Sequence, residues 1–478
     1  MSTRLRAFPL FAAVATALAA CGDVPTLPGP SAVAGVGALT FAQSEAAGTY
    51  ILNAAGTSLP ADLATSIASS GGTLTSAFSE AGVAIATSDD PGFAAKAARI
   101  RGIGQVGPDI VLQFTNPHLS GDAMSADSAV DEVSGKFGSN ESFRALQWAP
   151  DAVNAPAAWD AGARGRGARV AIVDGGIADR HIDIAPNLDA KVSTSFVPKH
   201  PFNTDVGSFW HGTHVAGIVA AAANGRGTVG IAPEATIIGV KVLDNGLGSF
   251  AAVLSGIVYA ALSREEGGAG ADIINLSLGA PVQKNGASAH LLNAVSRVVN
   301  FARQRGALVV AAAGNDAVDL DHSANVIFTP AQSGTTISVS ATGPFGFARG
   351  ATDFDRPASY TNFGQKAIEL AGPGGDFVFD PKPICTIKTP IGAVTTNCWV
   401  FDMVLSPSFG TGTYAWAAGT SMAAPAVSGV AALVVGKYGR MDPAHLETIL
   451  RQSADDLGKP GNDDFYGKGR VNALRAIQ

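Results

Sequence analysis

From Thr49 onward, short apolar runs alternate with polar punctuation. Tyr50-Ile51-Leu52 predicts a strand, Asp62 to Ser69 a helix, Thr73 to Phe78 and Val83 to Thr87 two strands, Phe93 to Arg101 a helix, and Gln105 to Phe114 a closing strand. That β-α-β-β-α-β order is the split βαβ pattern of a small ferredoxin-like α+β unit, placed at residues 48–114. After Ser142 the alternation stops. Arg169 to Val173, Thr236 to Leu243, Asp272 to Leu276, Ala307 to Ala313 and Thr336 to Ser340 are continuous apolar runs, as in strands buried on both faces. Helical stretches near Gly212 to Ala223, Ser249 to Ser263 and Ala289 to Arg305 separate most of them. The pattern predicts an α/β domain over 142–478, with a mostly parallel sheet, helices on both faces, and a site at the carboxyl ends of the strands.

The segments outside these patterns read as connections. Arg4 and Arg6 precede an apolar run from Ala7 to Ala20, too short for a stable bilayer anchor and ending in small residues, which marks residues 1–21 as an export signal. Leu18-Ala19-Ala20-Cys21 reads as a lipobox with Cys21 lipidated; the alternative is ordinary cleavage at an A-x-A site formed by Ala17 and Ala19. Residues 22–47, rich in Gly, Pro, Ala and Ser, suit a flexible tether. A second polar stretch, 115–141, has no apolar period and is the expected linker and processing site.

Composition narrows the class. With 478 residues, 47% hydrophobic and a formal charge of −7, the chain can bury a large core and does not have the basic balance that nucleic acid selects. Of three cysteines, Cys21 is assigned to the signal. In an exported protein Cys385 and Cys398 form an even pair and are expected to be bonded to each other, within a segment, 373–414, that leads toward Ser421.

Three stretches carry candidate chemistry. Gly419-Thr420-Ser421-Met422-Ala423-Ala424-Pro425 opens an Ala- and Val-rich helical run and exposes a serine near unpaired backbone N–H groups; alone, it reads equally as an N-cap. Asp174 follows the strand Arg169 to Val173 and precedes Gly175 and Gly176, as a turn residue also would. His211 opens His211-Gly212-Thr213-His214-Val215-Ala216-Gly217 at a helix start.

The order aspartate, histidine, serine, each in its own glycine-rich motif, resembles that of the subtilisin-like serine proteases. Ala171 to Ile177 is similar to the aspartate motif of that family, His211 to Gly217 to its histidine motif and Gly419 to Pro425 to its serine motif. Ile274 to Gly279 resembles the segment that pairs with substrate backbone, and Ala312 to Asn315 the one with the oxyanion asparagine. The resemblance runs from about Ser142 to the C-terminus. It implies an endopeptidase acting on polypeptides without a catalytic cofactor. Its roles would be Ser421 as nucleophile, His211 as base, Asp174 as its orienting partner and Asn315 as oxyanion donor. Ser277, Leu278 and Gly279 would hold the substrate strand, and residues 48–114 would be an inhibitory propeptide. Asp183 and Asn224 occupy positions resembling a family calcium site, with Arg226 awkwardly close. By position, Phe328 falls where roomy substrate pockets have glycine. Gly175 departs from the usual serine or threonine after the aspartate, and Trp210 is bulkier than the usual residue before the histidine. Two other classes stay open: a catalytically dead binding relative, hinted at by Gly175, and a serine esterase, whose Gly-x-Ser-x-Gly signature is absent.

Overall fold

A computed structural model describes residues 44–114, 118–125, 136–205, 210–377 and 382–478, with the side chains of 44–47 and 118–125 left aside. Residues 1–21, expected to be an export signal with Cys21 at its end, lie outside the described residues.

The N-terminal unit comprises β1 (Ser44–Ala54), α1 (Leu63–Ser69), β2 (Thr73–Phe78), β3 (Val83–Thr87), α2 (Phe93–Ala97) and β4 (Ile103–Gln113). Its antiparallel sheet runs β2-β3-β1-β4. Leu52, Ala84 and Ala86 on the sheet meet Leu63, Ile67 and Phe93 on the helices, giving the unit a core of its own. β1 begins at Ser44, inside the stretch expected as tether, because backbone pairing of Ser44 and Glu45 with Val111 and Ile110 needs no apolar period. The linker also departs from expectation. His118–Ser125 forms a strand, β5, held by main-chain pairing to a partner far along the sequence.

The second unit opens with the short helices α3 (Ala149–Ala152) and α4 (Ala155–Asp160). Its sheet contains β6 (Arg169–Asp174), β7 (Thr194–Ser195), β8 (Thr236–Lys241), β10 (Ile273–Leu276), β12 (Leu308–Ala312), β14 (Ile337–Gly343), β15 (Arg356–Pro357) and β16 (Leu370–Pro373), while β9 (Leu247–Ser249) leaves it to pair with β4. The strand order is β15-β14-β12-β10-β6-β8-β7, with β16 also on β14; all neighbours are parallel except β14 and β15. Alternate residues of the apolar runs face opposite cores. Val170, Ile172, Leu308 and Val310 pack with α5 (His211–Ala220) and α8 (Thr420–Tyr438), and Ala171, Val173, Val309 and Ala311 with α6 (Phe250–Ala261) and α7 (Ala289–Gln304). Burial on both faces is why these strands read as unbroken apolar runs. α8 is long and apolar enough to cross a bilayer, but it is buried in the core from Thr420 to Val435. Beside it lie α9 (Pro443–Ser453) and α10 (Ala473–Ala476).

The unit also holds two two-stranded antiparallel sheets: β11 (Ala280–Gln283) with β13 (Val326–Thr329), and the hairpin of β17 (Ile384–Thr389) with β18 (Gly392–Asn397). Cys385 and Cys398 are bonded at the base of the second, with S–S 2.01 Å. Part of the 373–414 segment, expected as an insertion, packs into the main core. Phe401, Val404, Leu405 and Tyr414 belong to the main core, and β19 (Val404–Pro407) with β20 (Thr413–Ala418) forms an antiparallel hairpin against α5. β17 and β18 lie at the edge of that core: Cys385, Ile387 and Val394 pack against it half-buried, while Ile384 and, in the turn, Ile391 are exposed.

Candidate active site

β6, β10 and β12 are parallel neighbours whose carboxyl ends share one rim of the sheet, and α5 and α8, packed on each other, begin at His211 and Thr420. β6 ends at Asp174, which is 1% exposed. Its carboxylate faces Nδ1 of His211, 2.8 Å from Oδ1 and 2.9 Å from Oδ2. An acceptor there fixes the proton on Nδ1 and leaves Nε2 of the neutral ring able to take one. The N–H of Gly175 donates to Asp174 Oδ1 at 2.6 Å.

The Gly175 departure has a local cause. A Cβ there would lie 2.8 Å from Oδ2 of Asp205, whose Oδ1 accepts from the Asn245 N–H at 3.1 Å. The space of the usual hydroxyl residue is thus taken by an aspartate from a neighbouring loop. Buried Lys241 donates from Nζ to the Gly175 carbonyl at 2.5 Å and to Asp244 Oδ1 at 2.7 Å, fixing the turn beyond Asp174.

Ser421 is the second residue of α8, where helical N–H groups lack intrahelical partners. Its hydroxyl donates to the Ser277 carbonyl at 3.1 Å, and the Ser277 hydroxyl donates back to the Ser421 carbonyl at 2.8 Å. Asn275, on β10, donates from Nδ2 to Ser277 Oγ and accepts from Ser428 of α8, both at 2.9 Å. These bonds lock the end of β10 to the first turns of α8.

Asn315 follows β12. Its Oδ1 accepts from the N–H and the hydroxyl of Thr420, each at 2.8 Å, which turns the amide nitrogen away from Thr420. Thr420 was not singled out in the sequence, although its place between Gly419 and Ser421 was the available signal. Asn362, also missed, accepts from the N–H groups of Asp316 and Val318 and donates to the Ala313 carbonyl, shaping the Asn315 turn. No local pattern marks it.

The second histidine of the motif, His214, is fully buried and shares Nε2 between the carbonyls of Val404 and Ala415, at 3.2 and 3.0 Å. Burial, then the neighbouring His211, depresses its pKa to about 3. It ties α5 to the hairpin that feeds Ser421. Gly217 serves the same contact: a Cβ there would strike Pro407 at 2.3 Å and Ser406 Oγ at 2.4 Å.

Of the three expected substrate-binding residues, Leu278 buries its side chain in the core and the other two present main chain to the cleft. The Gly279 N–H donates to the Phe114 carbonyl at 2.9 Å, and the Phe114 N–H donates to the Gly246 carbonyl at 2.8 Å. β4 pairs with β9 immediately before this point, Gln113 opposite Leu247. A Cβ on Gly279 would point between the Thr329 and Ala312 carbonyls at 3.5 and 3.6 Å, so glycine here keeps space open rather than relieving a clash. Phe328 is buried with Val318, Leu320 and Ile368, and its ring lies 3.1 Å from where a Cβ of Gly314 would be.

Asp183 and Asn224 are brought together: Asn224 Nδ2 lies 3.1 Å from Asp183 Oδ1. Asp183 Oδ2 accepts from the Thr228 N–H and the Tyr414 hydroxyl at 3.0 and 2.8 Å. Glu141, missed in the sequence because it falls at the end of the linker, joins them. Its Oε2 accepts from the N–H groups of Asn224 and Arg226 at 3.3 and 2.9 Å. Burial is the main cause that pushes Glu141 up to about 7 and Asp183 up to about 6. Two buried carboxylates thus lie beside a side-chain amide that turns its nitrogen to Asp183 and its Oδ1 to the Arg226 N–H. The Arg226 N–H, rather than its side chain, faces Glu141.

The structure therefore gives an imidazole oriented by a carboxylate at the start of α5, a serine in the first turn of α8, which packs on α5, and an amide held by Thr420 next to that serine. The sequence profile of the subtilase family covers residues 165–469. Over 338 residues the chain is 34% identical to thermitase of Thermoactinomyces vulgaris, spanning 70% of this chain and 97% of that protein. Subtilisin Savinase of Lederbergia lenta is 33% identical over 336 residues, spanning 70% and 100%. The crystal structure of the epidermin leader peptide processing serine protease of Staphylococcus aureus shares the fold, with a TM-score of 0.69 over 90% of this chain and 97% of that one at 21% identity. The chain belongs to the subtilase family. It is a serine-type endopeptidase that acts on polypeptides and needs no cofactor for catalysis.

Proposed function

We propose that the chain is an exported endopeptidase, made as a zymogen, that works through Asp174, His211 and Ser421. The observation that carries this reading is the Asp174 carboxylate 2.8 Å from His211 Nδ1, at the start of a helix packed on α8, whose second residue is Ser421. For reaction the Ser421 hydroxyl turns from the Ser277 carbonyl to His211 Nε2, which takes its proton as oxygen attacks the scissile carbonyl. The imidazolium, stabilised by Asp174, then protonates the leaving amine, and water repeats the sequence to free the acyl group. The Asn315 amide and the Ser421 N–H receive the oxyanion.

Residues 48–114, with β1 reaching back to Ser44, act as the propeptide. Support comes from Phe114, bonded at Gly279 and Gly246 as an extended substrate would be, and from the contacts beneath it. His290 of α7 meets the Pro108 carbonyl at 2.9 Å, and the Asp109 carboxylate accepts from the Ala251 N–H at the start of α6 at 3.2 Å. Processing falls between Phe114 and Ser142. Export follows the N-terminal signal, with Cys21 the lipid attachment point in an anchored form and ordinary cleavage giving a secreted one. Calcium would be held by Asp183, Asn224 and Glu141 and would stiffen the Asn224–Thr228 loop. Phe328, packed under the Asn315 turn, restricts the residue before the cut to small side chains.

The test is turnover of an unfolded polypeptide by wild type, Ser421→Ala and His211→Ala. Each substitution should cost about 10⁶-fold in kcat, as when one member of a working unit is removed. Retention of more than about a tenth of the rate by either variant would sink the assignment.

A further inference from the structure

β20 has two edges. One pairs with β19, and the other is covered from Thr413 to Ala418 by β5, with Thr413 opposite Ser125, Ala415 opposite Ala123, and Ala418 opposite His118. The covered edge spans six residues, about 20 Å of strand, and ends three residues before Ser421. Tyr414 and Trp416 are fully buried, and Tyr414 is tied to Asp183, so β20 is rigid and offers its main chain. On the opposite rim, Phe114 is bonded to Gly279. The chain thus passes from Phe114, bonded at Gly279, to His118, paired with Ala418 three residues before Ser421, the order in which a polypeptide crossing Ser421 would run from the acyl side to the amine side.

We infer that the β20 edge is an extended strand-addition surface for polypeptide beyond the cut, and that β5 is its built-in occupant. This rests on the endopeptidase reading and adds the class of substrate: extended segments with about six to eight residues on the leaving side, matched to the length of the paired edge. Main-chain pairing makes the surface indifferent to side chains but demanding of length. Because β5 belongs to the linker that follows Phe114, it stays attached to the catalytic unit after a cut on its N-terminal side. It then competes at the high effective concentration of a tethered segment, and incoming substrate must displace it.

The test uses the processed enzyme and internally quenched peptides with one shared acyl-side sequence and three, five or eight residues beyond the cut. The expected result is a kcat/KM at least about tenfold higher with eight residues than with three, carried by KM. A Leu119→Pro, Ala123→Pro double variant of β5, unable to complete the ladder, should lower KM for the eight-residue peptide by about tenfold more than for the three-residue one. Equal kcat/KM for three and eight residues would overturn the surface, and an unchanged KM in the double variant would overturn β5 as its occupant. Failure to cut any of the peptides, with no Ser421-dependent turnover of unfolded protein, would instead overturn the endopeptidase mechanism beneath it.

Discussion

Replacing Asn315 by aspartate separates two jobs that the structure gives one side chain. The Oδ1 of Asn315 accepts two bonds from Thr420, both at 2.8 Å, and the opposite side of the amide supplies the donor for the oxyanion. Aspartate keeps the shape and the acceptor, so the Thr420 bonds survive. It removes the donor and sets a negative charge where negative charge develops. Loss of one such donor costs about 2.7–4 kcal/mol, or about 100- to 1,000-fold in kcat, and the added charge moves Asn315→Asp to or beyond the upper end. KM should change little, because the donor acts on the transition state. Thr420→Val is the companion. It keeps the amide but deletes the hydroxyl bond to Oδ1, worth about 1 kcal/mol, so the amide is aimed less well and kcat falls roughly fivefold. The assay is kcat and KM on a chromogenic peptide, with active sites titrated and melting temperatures compared. A wild-type kcat for Asn315→Asp, or a loss confined to KM, would refute the reasoning.

Three further outcomes follow from the same geometry. The pKa of His214 is depressed in the folded state, so an unfolded chain, with its ring near 6.5, takes the proton first. The stability carried by the neutral ring is full above about pH 6.5 and is lost as pH falls toward 3, by about 2 kcal/mol at pH 5. Melting curves from pH 8 to 5 should show a decline that flattens in His214→Gln, and an equally steep variant would contradict it. Chelation should lower the melting temperature of wild type and leave Glu141→Ala, already loosened at the Asn224–Thr228 loop, less affected; identical wild-type melts with calcium and with chelator would remove the ion from the account. Phe328→Ala should raise kcat/KM for peptides with phenylalanine before the cut relative to alanine, at a cost of about 3–5 kcal/mol of stability from the vacated core space. An unchanged preference would move the pocket floor elsewhere.

Asp174, His211, Asn315 and Ser421, the proposed catalytic set, each sit near the end of an apolar strand or the start of an apolar helix, but it was their order and the resemblance to the subtilisin-like proteases, not any single local pattern, that singled them out. What escaped was held by contacts without local signature. Thr420 and Asn362 act through bonds to residues 105 and 49 positions away. Glu141 reaches across 85 residues to Arg226 from a stretch that looked like linker. β5 escaped for a different reason: a strand held by backbone pairing along one edge needs neither apolar alternation nor β-branched residues, so its sequence resembles a loop. No motif marks the 373–414 segment either, so its residues gave no sign that Val404, Leu405 and Tyr414 complete the core under α5.

The measurement closest to the central claim is intact-mass analysis of the purified protein after a fluorophosphonate probe, beside Ser421→Ala treated identically. The account predicts one adduct, on a catalytic piece beginning between Phe114 and Ser142, and an unlabelled, uncut chain in the variant. An adduct that persists in Ser421→Ala, or an unlabelled wild-type chain cut at the same place, would contradict it.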